Sequence, residues 1–216
     1  TNSDVTWAPI AQYDASLYTK CIFKFCKYRT KISEGGISMK ILFDYGHGGS
    51  DPGANYKGRK EADDVLRLGQ AVAKRLRGAG VVVHETRTTN ETLGLGARVK
   101  RDKADKYDYF VSFHRNAYKP EHAQGAEVFT YPTASAKAKA LAVQLQNALV
   151  RVGFANRGAK VANYYVLRNT RSPAVLIEAG FIDNSEDNQL FDERFEAMVE
   201  GLAGCFVDLK MACGKS

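Results

Sequence analysis

Four side chains carry the chemistry this sequence offers: His47, Glu61, His114 and Glu178. Two imidazoles and one carboxylate suffice to hold a divalent metal with a coordination position open for water. A second carboxylate would then be left to move protons on that water. The four lie far apart in the chain, each in a short word of its own: FDYGHGGSDPGA (43–54), GRKEAD (58–63), YFVSFHRN (109–116) and AVLIEAGFID (174–183). If they converge in space, the chain is a zinc hydrolase.

The elements that must position them follow from periodicity. Lys40–Tyr45 is a short apolar strand running into the glycine-rich loop that holds His47. A helix is predicted from Glu61 to Arg77, with Val65, Leu68, Val72 and Leu76 on one stripe and Gly78-Ala79-Gly80 to stop it. Strands follow at 81–87, 109–114 and 126–131, with a short helix around Leu95 to Lys106 between the first two. A helix over 135–152 carries Leu141, Leu145 and Leu149. The segment 173–179 is nearly all apolar, as a central strand covered on both faces must be. One last helix is expected over 187–210, with Asn184 as its N-cap. Alternating strands and helices predict a single α/β domain with helices on both faces of its sheet. Reactive groups in such sheets gather beyond the carboxyl ends of strands, which is where His47, His114 and Glu178 fall.

Composition bounds the partners. The chain has 216 residues, 44% hydrophobic and 25% charged, which suits one globular domain plus an appendage. No apolar run approaches the roughly 20 residues a membrane-spanning helix needs, and the first residues, TNSDVTWAPIAQYD, do not read as a signal peptide. A formal charge of +7 favours polyanionic surroundings such as nucleic acid, anionic lipid or phosphate-bearing wall polymers. Residues 1–38 differ in character and end in SEGGIS, so they are expected to be an extension of unreadable role, with the domain proper at 39–213. Cys21, Cys26, Cys205 and Cys213 form no Cys-x-x-Cys pair and are expected to be thiols of a reducing compartment.

Each site residue also has a structural alternative. A histidine at a strand end can be a hydrogen-bonded scaffold residue, and Glu61 can simply favour the positive end of its helix. Glu178 is harder to dismiss, because an ionised carboxylate ending a buried strand needs a partner. His84 reads as structural and His122 as exposed. Other chemistries fit worse: GANYKGRK (53–60) lacks the Lys-Ser/Thr of a phosphate loop, and neither a Gly-x-Ser-x-Gly elbow nor a dinucleotide-binding glycine fingerprint occurs.

These words, together with VHETR (83–87), the segment from Leu95 to Arg98, GAEVF (125–129), RGAK (157–160) and YVLR (165–168), closely resemble the zinc-dependent N-acetylmuramoyl-L-alanine amidases of the third amidase type. The resemblance runs from about Lys40 to Leu209. It implies a mixed, mostly parallel sheet, one zinc ion on His47, Glu61 and His114, and Glu178 as the catalytic carboxylate. The implied substrate is bacterial peptidoglycan, cut at the amide between the lactyl group of N-acetylmuramic acid and L-Ala, by a phage lysin or a bacterial autolysin acting at the cell wall. Net positive charge would help anchorage to anionic wall polymers. The alternatives are a catalytically silent wall-binding protein on the same scaffold and a basic nucleic-acid-binding domain; the last has no recognisable module to support it.

Two positions depart from the family pattern. Tyr45 stands where a small residue is common, and Arg115 where alanine is usual. Strand alternation turns Arg115 away from His114, which predicts a structural role; the alternative is contact with a stem-peptide carboxylate. Asn116 is a second candidate for the substrate groove, and Arg98 is expected to serve the scaffold. The short spacing from Glu61 to His114 leaves no room for an inhibitory helix, so an open site is expected.

Overall fold

The computed structural model describes residues 39–213. Residues 1–38, with Cys21 and Cys26, lie outside the described residues, as does the side chain of Cys213. The strands are β1 (Lys40–Tyr45), β2 (Asn55–Tyr56), β3 (Arg59–Lys60), β4 (Val82–Glu85), β5 (Tyr109–Asn116), β6 (Ala126–Thr130), β7 (Asn156–Val161) and β8 (Ala174–Phe181). The helices are α1 (Glu61–Gly78), α2 (Leu95–Lys103), α3 (Ala136–Val152), α4 (Tyr165–Asn169), α5 (Ser185–Glu193) and α6 (Phe195–Cys213). No described helix is long and apolar enough to cross a membrane.

Six strands form one sheet in the order β4-β1-β5-β8-β6-β7, while β2 and β3 make a separate hairpin. All neighbours in the large sheet run parallel except β6 and β8, which are antiparallel. The sheet is therefore mixed and mostly parallel, with β8 next to its centre and buried at every position.

Side-chain alternation divides the core between the two faces. On the first face, Phe43, Val111, Phe113, Val175 and Ile177 pack against Leu68 and Val72 of α1, Leu145 and Leu149 of α3, and Leu202 and Phe206 of α6. On the second, Leu42, Phe110, Leu176 and Phe129 pack against Val99 of α2 and Val166 and Leu167 of α4. The second layer is thinner, since α4 has only five residues. That thin layer leaves the upper part of the second face to polar side chains.

Local chemistry sets the helix ends. α1 has Glu61, Asp63 and Asp64 in its first turn and Arg75 and Arg77 in its last, both favourable to the helix dipole. Ser135 caps α3 by accepting from Ala138 N, and Asn184 caps α5 by accepting from Asp187 N, as expected of it. The final helix is not continuous: it breaks at Arg194, whose φ of −108° and ψ of 19° depart from helical values. The break redirects the chain so that Phe191 before it and Met198 and Phe206 after it all reach the first-face core. Cys205 is a buried thiol on α6.

Candidate metal centre

The loop after β1 is held by two buried arginines. Arg87 donates to the carbonyls of Tyr45, at 2.9 Å, Gly46, at 2.9 Å, and Ala62, at 2.8 Å. Arg98 donates to the His47 carbonyl at 2.7 Å and to Asp44 Oδ1 at 2.8 Å. Asp44 is itself buried and also accepts from Thr86 Oγ1 and Ser112 Oγ, at 2.7 and 2.8 Å. Arg98 is a scaffold residue, and the task it performs is to fix the main chain around His47.

That main chain is constrained at His47 itself, which has a left-handed φ of 58°. Such a value is uncommon for a side-chain-bearing residue and persists only where surroundings over-determine it. Glycines beside it make room for the site. A Cβ on Gly46 would lie 2.3 Å from His114 Cε1, and one on Gly53 would lie 2.7 Å from Glu61 Oε2.

His47, Glu61 and His114 meet. Glu61 Oε2 lies 3.1 Å from His47 Nε2, and Glu61 Oε1 lies 2.9 Å from His114 Nδ1. One ligand atom from each of the three falls within 4.8 Å of the others. The two imidazole rings stand 5.2 Å apart at 81°. Glu61 comes from the first residue of α1 and is buried. Its oxygens also accept from Ala54 N at 3.0 Å and Arg115 N at 3.1 Å. Burial works against ionisation of Glu61, yet the hydrogen bonds from His114 and His47 outweigh it and hold the carboxyl far below its ordinary range. Burial also works against protonation of His47, but the Glu61 and Asp51 carboxylates prevail and raise its pKa. A cluster that so favours positive charge between its members, built of imidazole and carboxylate donors, suits a dication.

Asp51 completes the arrangement and was not singled out from sequence. Its Oδ2 lies 2.9 Å from His47 Nδ1. The contact orients the ring and leaves Nε2 facing Glu61, as the outer partners of metal-binding histidines do. An aspartate four residues after a histidine in a glycine-rich loop was the available signal.

Glu178 sits beside this group. It is the register partner of His114 on the adjacent parallel strand, and alternation puts both on the second face. Its Oε2 is buried without a hydrogen-bond partner among the described residues. Burial, joined by the negative charges of Glu61 and Glu127, raises its pKa well above the usual carboxylate value. A buried carboxyl held towards its protonated form beside a candidate metal cluster has the chemistry of a proton-transfer group.

Arg115 does not line the cleft: it lies where strand alternation places it, in a structural setting, and the alternative of a stem-peptide contact finds no support there. It faces the first side of the sheet, where its Nη1 donates to Asp64 Oδ2 at 2.6 Å and its Nη2 to Asn188 Oδ1 at 2.8 Å. Its guanidinium carbon lies 4.3 Å from the centre of the Phe191 ring, and its side chain has no solvent exposure. Asn116 donates to Glu127 Oε1 and accepts from Ala117 N at 2.9 Å. His84 contacts Tyr107 Oη at 3.0 Å, away from the site, and His122 is exposed.

The sequence profile of N-acetylmuramoyl-L-alanine amidases matches residues 41–203. The N-acetylmuramoyl-L-alanine amidase CwlM of Bacillus licheniformis is 36% identical over 152 residues, covering 69% of this chain and 59% of its own length. The sporulation-specific N-acetylmuramoyl-L-alanine amidase of Bacillus subtilis strain 168 is 35% identical over 152 residues, again 69% of this chain and 58% of its own. The chain thus spans under two thirds of the length of these curated relatives. Among solved structures, the N-acetylmuramoyl-L-alanine amidase from Clostridium difficile 630 superposes with a TM-score of 0.76 at 29% identity, over 83% of this chain and 99% of that one.

Proposed function

Since the chain belongs to the N-acetylmuramoyl-L-alanine amidase family, we propose that residues 39–213 hydrolyse the amide joining the lactyl group of N-acetylmuramic acid to the L-Ala of the stem peptide in bacterial peptidoglycan. In this reading His47, Glu61 and His114 hold one zinc ion, and Glu178 is the proton carrier. The observation that supports it most is the placement of Glu178, whose buried carboxylate oxygen has no hydrogen-bond partner among the described residues and belongs to the strand position paired with His114.

Zinc bound there supplies Lewis acidity to the scissile carbonyl and to the attacking water. Every other task falls to the chain. Asp51 and Glu61 keep the two imidazoles in place, and Arg87 and Arg98 keep the His47 loop from relaxing. Glu178 takes a proton from the water as the water oxygen bonds to the lactyl carbonyl carbon. It then delivers that proton to the departing nitrogen as the carbon–nitrogen bond breaks. The products are a lactyl carboxylate and an L-Ala with a free amino terminus.

The imidazole side chains of His47 and His114 are 26% and 20% exposed, enough for a substrate strand to reach them. This accords with a site that works without removal of an inhibitory segment. The workplace is the cell wall, where the formal charge of +7 would favour contact with anionic wall polymers. The test combines zinc analysis of the purified protein with mass spectrometry of digested peptidoglycan. One zinc per chain and new L-Ala amino termini are expected; intact wall, or clearing that survives complete chelation, would refute the reading.

A further inference from the structure

With Arg115 turned into the core, recognition of a peptide carboxylate must fall to other cations, and the structure offers two. On the second face of the sheet Glu127 is the register partner of Glu178, and the strand beyond it is β7, the last in the sheet. Lys160 on β7 pairs in register with Phe129, and its ammonium reaches Glu127 Oε2. Arg157, from the irregular start of β7, brings Nε within 3.4 Å of the same oxygen, but without the alignment of a hydrogen bond. Its guanidinium carbon lies 4.8 Å from the centre of the Phe181 ring. Two cations thus converge on the Glu127 carboxylate, while Arg157 Nη1 also donates to the Gln124 carbonyl at 3.5 Å and its charge acts on the Asp187 carboxyl. The Arg157 side chain is 33% exposed, whereas that of Glu127 is only 5% exposed.

Strand spacing gives the reach. Neighbouring strands lie about 4.8 Å apart, so β7 runs roughly 10 Å from β8. An extended peptide covers that distance in about three residues, and a long arginine or lysine side chain shortens it by one or two. Tyr164 borders the intervening surface, its ring packed edge-on against Phe129 at 5.4 Å. Burial and the nearby Glu178 and Glu127 carboxylates push the Tyr164 phenol up to about 12. The strip from Glu178 outward is therefore acidic at its inner end and cationic at its edge. An anionic ligand finds no cation among the described residues over the first part and gains only where its charge arrives at the second.

We infer that Arg157, supported by Lys160, forms a subsite for a free carboxylate of the stem peptide, one or two residues beyond the L-Ala whose amide is cut. The subsite presupposes the amidase reading and adds to it a preference among peptidoglycan chemistries: a stem whose second residue carries a free α-carboxyl over one in which that group is amidated. Arg157 is then a specificity-determining residue on an edge strand, outside the machinery that moves protons.

The experiment uses the full chain and a pair of disaccharide tetrapeptides that differ only in whether the α-carboxyl of the second residue is free or amidated. The unmodified protein should show a KM for the acid about fivefold to tenfold below that for the amide, the scale of a partly exposed charge-assisted hydrogen bond. Arg157→Gln should raise KM for the acid towards that of the amide, with KM rather than kcat carrying the change. Arg157→Lys, which keeps the charge, should retain the preference. Equal KM values for both substrates with the unmodified protein, or an Arg157→Gln effect of the same size on both, would overturn the subsite. If neither substrate yields an L-Ala amino terminus while zinc is bound, the amidase reading falls and the subsite falls with it.

Discussion

His114 and Glu178 occupy paired positions on two adjacent parallel strands, so their side chains emerge side by side from the same face of the sheet. The pairing sets the separation of the proposed metal ligand and the proposed proton carrier by backbone hydrogen bonding rather than by the reach of flexible loops. Such positioning on rigid elements is what a reacting geometry requires.

Glu178→Gln should preserve this spacing while removing the proposed proton carrier. The expected result is a fall in kcat of about 10²–10⁴-fold, the usual worth of a general acid–base group, with unchanged zinc content. Steady-state kinetics with metal analysis on the same preparation makes the check. Retained turnover would remove Glu178 from the mechanism.

Arg115→Ala should act on stability and not on substrate recognition. It removes one of the two arginines on buried Asp64, leaving among the described residues the 2.6 Å contact from Arg59. Breaking one side of a buried ion pair costs about 3–5 kcal/mol. Chemical denaturation should report that loss, while KM for wall fragments, measured well below the new melting temperature, stays the same. A selective rise in KM would restore a substrate role.

Two loop variants should separate ligand orientation from ligand placement. Asp51→Ala releases His47 Nδ1 and should weaken zinc affinity by about 10- to 100-fold, the usual cost of losing an outer-sphere partner. Gly46→Ala places a Cβ 2.3 Å from His114 Cε1, so it should displace the ring and prevent tight zinc binding altogether. Competition against a chromogenic chelator ranks the two; equal affinity in both would contradict the assignment.

Acid sensitivity should have an identifiable source where β3 and α1 meet α5. Arg59 donates to Asp192 at 2.8 and 3.0 Å, and Arg67 donates at 2.6 Å. Arg59 is the larger influence in holding the Asp192 carboxyl down at about 2. A carboxyl depressed in the folded state stabilises the fold above its unfolded pKa of about 3.9, and that contribution is lost as pH falls towards 2. Urea midpoints measured through this window should fall less steeply for Asp192→Asn than for the unmodified protein. Parallel profiles would show that the pair contributes nothing.

Legibility in the sequence tracked how far each signal depends on neighbours in space. The Val65, Leu68, Val72, Leu76 stripe and the apolar run of β8 declare themselves locally, and both elements stand where periodicity predicts. β7 does not: NRGAKV is only half-buried and lacks an apolar alternation, because an edge strand with basic side chains has little core to face. α4 is too short to show a period, and the break at Arg194 answers to the geometry of packing Phe191 and Phe206 in one core. At the site, the histidines and Glu61 stood out by residue type and word. Glu127 did not, since its importance arises only when antiparallel pairing sets it against Glu178.

The alternation along β5 has an evolutionary corollary. Phe113 feeds the core, His114 faces the cleft, and Arg115 returns to the core side to meet Asp64. Gain or loss of a single residue within this strand would exchange the roles of its two faces, sending a guanidinium towards the proposed zinc position and an imidazole against Phe191. Natural variants of this protein should therefore tolerate substitutions along β5 far better than changes in its length, and insertions should collect instead in the loops that flank it.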